Sequence, residues 1–275
     1  MITDGIKSDG DPDRIAGRRS MRSNYHTHTT RCGHATGTDR EYVETAIARG
    51  LQTLGFSDHV PMPFRDGHES NFRVPIRRLE DYVTSILALR EEYRGQIDIR
   101  LGFEAEYYPD LFDAMLDLLR PYPVDYLLLA QHFVDSGERV YNTNPQSNQN
   151  AFRRYTDRCL EAMQTGRFTY LAHPDLFCFI GDPNVYQWEV IRLCEGAKAM
   201  QIPLELNLLG LREHRNYPSE RFWRIAGAMH CPVILGCDAH SPADLAAPDN
   251  LEEAEAFVQE FGLHPNQDIL LRKPF

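Results

Sequence analysis

Apolar residues recur along this chain in two alternating rhythms. Tyr42, Val43, Ala46 and Ile47 are spaced as one face of a helix. Thr38 and Glu41 form an S/T-x-x-E capping box at its start, and Gly50 ends it. The stretch 51–56 is short and apolar, which predicts a buried strand stopping at Ser57-Asp58-His59. After a polar loop punctuated by proline, Leu79, Tyr82, Val83, Ile86, Leu87 and Leu89 predict a second helix closed by Gly95, and 97–103 alternates as a strand ending at Glu104. The same reading gives helices over 111–119, 151–163, 186–200, 221–230 and 251–261, and strands over 124–130, 168–172, 203–206 and 232–236.

With a first strand at 23–25 there are seven strands, each followed by a helix or a long loop. Repeated β-α units imply a parallel sheet, and seven of them in 275 residues suggest an α/β fold of the closed or nearly closed barrel type. No linker rich in Gly, Ser or Pro divides 23–275, which reads as a single domain, and there is no sequence-level repeat. Residues 1–22 carry Asp, Gly, Lys and Arg without an apolar core, so they are expected to be a flexible leader rather than a secretory signal, and Met21 is a second candidate start.

Composition narrows the function classes. The formal net charge of −11 argues against a broad nucleic-acid or membrane footprint, both of which need clustered Lys and Arg. A small phosphorylated substrate needs only a local positive site and stays allowed. No apolar run approaches the roughly 20 residues of a membrane span. Six scattered cysteines without a C-x-x-C pair read as reduced thiols, so a cytoplasmic location is expected.

The residues just past the strand ends carry the chemistry. His26 and His28 stand after the first strand, with His34 in the same loop; Asp58 and His59 stand after the second, Glu104 after the third, His132 after the fourth, His173 after the fifth, and Asp238 and His240 after the seventh. In a β/α barrel these positions converge on the C-terminal rim, where active sites of this architecture sit. Any one of these histidines alone is more often a hydrogen-bonded core or loop residue than a ligand. Titratable groups at six of seven strand ends are not explained that way. His68, His214, His230 and His264 fall outside the pattern and read as ordinary surface residues.

Imidazole and carboxylate are the usual ligands of zinc, manganese and iron, and there are more of them here than one ion can use. Two or three divalent metal ions (Zn, Mn or Fe) are expected. Clustered cations lower the pKa of bound water and stabilise an in-line phosphoryl displacement, so the donor set favours phosphate ester hydrolysis.

The motifs His26-x-His28-x5-His34, Ser57-Asp58-His59, Glu104, His132, His173-Pro174-Asp175 and Asp238-Ala239-His240 resemble the polymerase and histidinol phosphatase (PHP) family, over about 24–240. The resemblance implies a distorted (β/α)7 TIM-like barrel and three ions. One would be held by His26, His28, Glu104 and Asp238, a second by His34, His59 and His240, and a third by Glu104, His132 and His173, with Glu104 as the main bridge. It further implies hydrolysis by metal-activated hydroxide, with Glu104, Asp238 and Asp58 in the catalytic set. Asp58 would serve as a proton donor or, equally, as a carboxylate orienting a ligand histidine.

Glu205-Leu206-Asn207, Gly210-Leu211-Arg212 and Tyr217-Pro218-Ser219 resemble stand-alone histidinol phosphatases, as do 57–63 and 132–135. On that resemblance Arg212 is expected as a bidentate phosphate clamp and Asn207 as a second substrate-binding residue. L-histidinol phosphate, in histidine biosynthesis, becomes the best single substrate. Two departures stand out: Phe177, Cys178, Phe179 and Ile180 replace a basic pair after His173-Pro174-Asp175-Leu176, and Gln131 precedes His132. Phe177 and Phe179 are expected to pack in the core.

The alternatives are a PHP phosphoesterase for another small phosphate ester, an amidohydrolase-type metal hydrolase, or a non-catalytic PHP module. The amidohydrolase pattern asks for a bridging lysine and a lone final aspartate, where this chain has Glu104 and Asp238-x-His240. A degenerate module would lack ligands, and none is missing.

Overall fold

The computed structural model describes residues 21–267 and 269–275. Seven parallel strands, β1 (Ser23–Asn24), β2 (Thr53–Phe56), β3 (Asp98–Ala105), β4 (Tyr126–Leu129), β5 (Tyr170–Leu171), β6 (Leu204–Asn207) and β7 (Val233–Gly236), pair in sequence order. The helices between them are α1 (Asp39–Ala48), α2 (Leu79–Glu92), α3 (Phe112–Leu119), α4 (Gln149–Gln164), α5 (Pro183–Ala199), α6 (Leu208–Arg212), α7 (Glu220–Ala228) and α8 (Pro248–Glu260). Among the described residues β1 and β7 share no ladder, and the barrel closes at its rim. There Thr27 bridges Ala239, His28 N donates to Ala239 O at 2.9 Å, and Ala239 N donates to His26 O at 3.2 Å. This is the expected distorted seven-stranded barrel. The short α6 is not among the expected elements, because five residues give no periodicity to read.

The capping box of Thr38 and Glu41 forms as read: Thr38 N donates to Glu41 Oε2 at 2.6 Å, and the Thr38 side chain accepts from Glu41 N. Met21 is buried with its sulfur 3.6 Å from Cys237 Sγ, and the Arg22 guanidinium donates to Gln52. Met21 and Arg22, assigned to the leader from the sequence, therefore belong to the folded body; the rest of that leader, 1–20, lies outside the described residues.

Strand alternation divides the interior into two cores. Leu127 and Leu129 of β4, Leu171, Leu204, Leu206 and Val233 face the helices. Tyr126, Leu128, Tyr170 and Ile234 fill the barrel. Gly55 and Gly102 leave the space that the Tyr126 ring occupies, and its hydroxyl donates to Tyr25 O at 2.7 Å. The outward register of Leu101, Phe103 and Ala105 sends Glu104 and Glu106 inward. That of Leu204 and Leu206 does the same for Glu205 and Asn207.

Candidate metal centre

The seven histidines and two carboxylates singled out in the sequence all come to the C-terminal rim of the barrel. Glu104 stands at their centre, nearly inaccessible at 1% exposure. Its Oε1 lies 2.8 Å from His173 Nε2, 3.4 Å from His26 Nε2 and 3.5 Å from His132 Nε2; its Oε2 lies 2.8 Å from His59 Nδ1 and 3.5 Å from His28 Nε2. Asp238 Oδ1 lies 3.1 Å from His28 Nε2 and 3.5 Å from both His26 Nε2 and His240 Nδ1. The His240 ring stacks on that of His28 at 4.1 Å, and the His34 ring lies 4.8 Å from His240.

Backbone geometry aims two of these groups. Asp238 continues the inward register of Ile234 and Gly236, and takes φ 47°. His173 is one residue out of the inward register of Tyr170, and φ 74° turns it back toward Glu104. Left-handed backbone at non-glycine residues costs about 1–3 kcal/mol and persists where surrounding structure holds it, commonly at functional sites.

The donor set fits divalent cations on an observation of the protein alone. His26 Nε2, His28 Nδ1 and Nε2, His59 Nδ1, His173 Nδ1 and Glu104 Oε2 are buried without a hydrogen-bond partner among the described residues. His59 Nδ1 sits 2.8 Å from Glu104 Oε2, yet it does not donate to it. Buried polar atoms left this way carry a desolvation penalty that a coordinated cation would relieve. Four overlapping groups of three drawn from these donors have ligand atoms mutually within 4.8 Å: His26, His28 and Glu104; His26, His173 and Asp238; His28, His59 and His240; and His59, Glu104 and His132. The groups share His26, His28, His59 and Glu104, and His34 stands beside them with its ring 4.8 Å from that of His240.

Electrostatics splits the imidazoles. Burial opposes charge on His28, yet the neighbouring carboxylates of Asp238, Asp58 and Glu104 lift it to about 9. Burial and the charge of His28 drive His240 down to about 2, and His59 falls to about 4 chiefly through burial. Without metal, His28 holds a proton that metal entry must displace.

Outer carboxylates hold the ligand histidines. His26 Nδ1 is 2.8 Å from Glu205 Oε1 and His132 Nδ1 is 2.7 Å from Glu106 Oε1, while Asp58 Oδ1 faces His28 Nδ1 at 3.5 Å without a hydrogen bond. Hydrogen-bonded partners set the tautomer and aim the other nitrogen inward. Glu106, further held by Arg73, was missed in the sequence. Its signal was there, since Glu104-x-Glu106 on one strand places both carboxylates on one face. Glu205 belongs to a motif singled out in the sequence, but its part in holding His26 is visible only in the fold.

Three further residues singled out in the sequence stand around the ligand cluster rather than within it. Asp58 is fully buried, does not line the cavity, and spends its oxygens on Thr29 and on His59 N at 2.9 Å. Burial raises its pKa, but His28, His59 and Thr29 more than offset this and hold it below the usual carboxylate range, so it is ill suited to donate a proton. Asn207 is a positioning residue rather than a substrate contact: its Nδ2 donates to Asp238 Oδ2 at 3.0 Å and to Glu205 Oε2 at 2.9 Å, and its Oδ1 caps Gly210 N. Arg212 does not line the cavity; its Nε lies 3.4 Å from Asp244 Oδ1. Asp58→Asn is expected to weaken metal binding about 10–100-fold while kcat at saturating metal stays near wild type. A collapse of kcat at full metal occupancy would restore the proton-donor role.

A cavity of about 830 Å³ opens over the ligands. Phe72, Phe133 and Tyr141 give it an aromatic wall, with the Tyr141 ring stacked on His132 at 5.7 Å, and Glu213, Arg215 and Asn216 give it a polar one. Phe177 and Phe179 pack instead, their rings 5.0 and 4.8 Å from Phe152. Gln131 braces the loop, donating to Phe133 O at 2.7 Å and accepting from Tyr107 N at 3.1 Å. Among the described residues no helix is long and apolar enough to cross a membrane.

Comparison with known proteins gives the same direction. The model of the PHP domain matches residues 24–209. A Deinococcus radiodurans protein described as "Probable histidinol-phosphatase" is 32% identical over 230 residues, covering 80% of this chain and 86% of that one. The histidinol-phosphatase of Bacillus subtilis is 35% identical over 116 residues, 40% of this chain and 43% of its own. Among solved structures, histidinol phosphate phosphatase from Lactococcus lactis, complexed with zinc, L-histidinol and phosphate, superposes with a TM-score of 0.67 at 19% identity, over 91% of this chain and 99% of that one.

Proposed function

The chain belongs to the PHP domain family, and on that premise we propose that it is a metal-dependent phosphomonoesterase hydrolysing L-histidinol phosphate to L-histidinol and phosphate, a step of histidine biosynthesis. The observation that carries the reading is the convergence of seven imidazoles and two carboxylates at the barrel rim, where five of the imidazoles and both carboxylates line one open cavity. Relatives named for this activity supply the substrate.

His26, His28, His34, His59, Glu104, His132, His173, Asp238 and His240 would hold two or three divalent ions, zinc being the one bound in the Lactococcus lactis enzyme. When bound, such ions lower the pKa of water and neutralise charge on a phosphoryl group. The chain's own residues do the rest. Glu104 faces five imidazoles and would serve more than one ion. Glu205 and Glu106 fix ring orientation, Asp58 stands beside His28, and Asn207 fixes Asp238. The aromatic wall of Phe72, Phe133 and Tyr141 gives the imidazole of a histidinol leaving group a surface to stack on while keeping bulk water away.

The test is phosphate release from L-histidinol phosphate by metal-replete protein. A kcat/KM of about 10⁴ M⁻¹s⁻¹ or more is expected, the lower bound of ordinary enzyme efficiency. Negligible release, with other phosphomonoesters hydrolysed, would transfer the reading to another alcohol.

A further inference from the structure

We propose that Arg215 is the group that recognises the phosphoryl anion from the protein side of this cavity, held in place by Glu213 and Tyr217. The inference rests on the phosphomonoesterase reading above. It differs from the arginine that the sequence favoured, Arg212, which faces Asp244.

Arg215 is the one Arg or Lys among the described residues lining the cavity. Its backbone is fixed just past α6, where its N donates to Gly210 O at 3.0 Å. The guanidinium is fixed from two sides. Nε and Nη2 reach Glu213 Oε2 at 2.9 and 2.7 Å, and Nη1 donates to the Tyr217 hydroxyl at 2.8 Å. The cation also lies 5.9 Å from the Tyr217 ring centre.

A guanidinium carries five N–H groups. These contacts occupy three and leave one on each terminal nitrogen for phosphoryl oxygens to accept. The side chain lines the cavity and is 36% exposed. Tyr217 is buried and its ring lies 5.8 Å from that of His173, so the guanidinium is tied to the ligand cluster through one rigid aromatic side chain. A phosphoryl dianion held by such cations would still have oxygens left to bind the wall. Arg215 is the positive group in the wall available to those oxygens.

The experiment titrates inorganic phosphate into zinc-loaded protein by calorimetry, so it does not depend on which alcohol the enzyme releases. Failure on L-histidinol phosphate would leave this measurement intact. Arg215→Gln is expected to weaken phosphate binding about 10–100-fold, the scale of lost charged hydrogen bonds, with zinc content unchanged. Arg215→Lys, which keeps the charge but not the fork, is expected to recover part of the loss. Arg77→Gln removes one positive charge from an exposed pair with Glu69 and is expected to leave the affinity within about twofold. Phosphate affinity unchanged in Arg215→Gln at full zinc content overturns the proposal, as does an equal loss in Arg77→Gln.

Discussion

Glu104→Gln is expected to remove bound metal and lower kcat/KM about 10³-fold or more, the scale seen when a central member of a catalytic constellation is lost. The substitution keeps the volume of the side chain, so no cavity forms and the barrel should fold. What changes is charge. Five imidazole nitrogens lie within 3.5 Å of the two carboxylate oxygens. A neutral amide there offers one acceptor instead of two and points N–H groups at nitrogens that must present lone pairs to a cation. Elemental analysis beside steady-state kinetics decides the matter. A variant that keeps both its metal and its activity would show that Glu104 is an ordinary buried carboxylate.

Gly236→Ala is expected to destabilise the fold by about 3 kcal/mol and weaken metal binding about 10–100-fold, although residue 236 touches no substrate. Gly236 lies on the inward register of β7, and a Cβ there would collide with the Glu205 carboxylate. Glu205 is fully buried and accepts from His26, Asn207 and, at 3.3 Å, the Tyr170 hydroxyl. Moving it releases the His26 ring and disturbs Asn207, which holds Asp238. Thermal melting and a zinc titration would test both halves. A stable variant with wild-type zinc affinity would mean that Glu205 can shift without cost.

Much of the site was legible because its residues stand at boundaries between two periodicities. His59, His132 and Asp238 each come just after an apolar strand whose length and flanks are local properties. The less legible parts are those that depend on which strands become neighbours. Asn207 and Arg212 sit in one short motif, yet α6 begins between them and separates their roles: one bonds Asp238 on the adjacent strand, the other meets Asp244 beyond β7. Asp58 comes after a strand as the ligands do, but it faces Thr29 and His28 from outside the ligand cluster. Glu106 gained its role only when β4 brought His132 beside β3.

Seven β-α units, the parallel barrel they build and the nine donor residues at its rim were determined by the sequence itself. Apolar period, caps and strand ends are set by residues close together in the chain. Tertiary structure decided which nitrogen of each histidine faces inward, how the donors group, and which arginine reaches the cavity. Those outcomes depend on contacts such as His26 with Glu205, 179 residues apart, and on the left-handed turns at His173 and Asp238 that the packed barrel imposes.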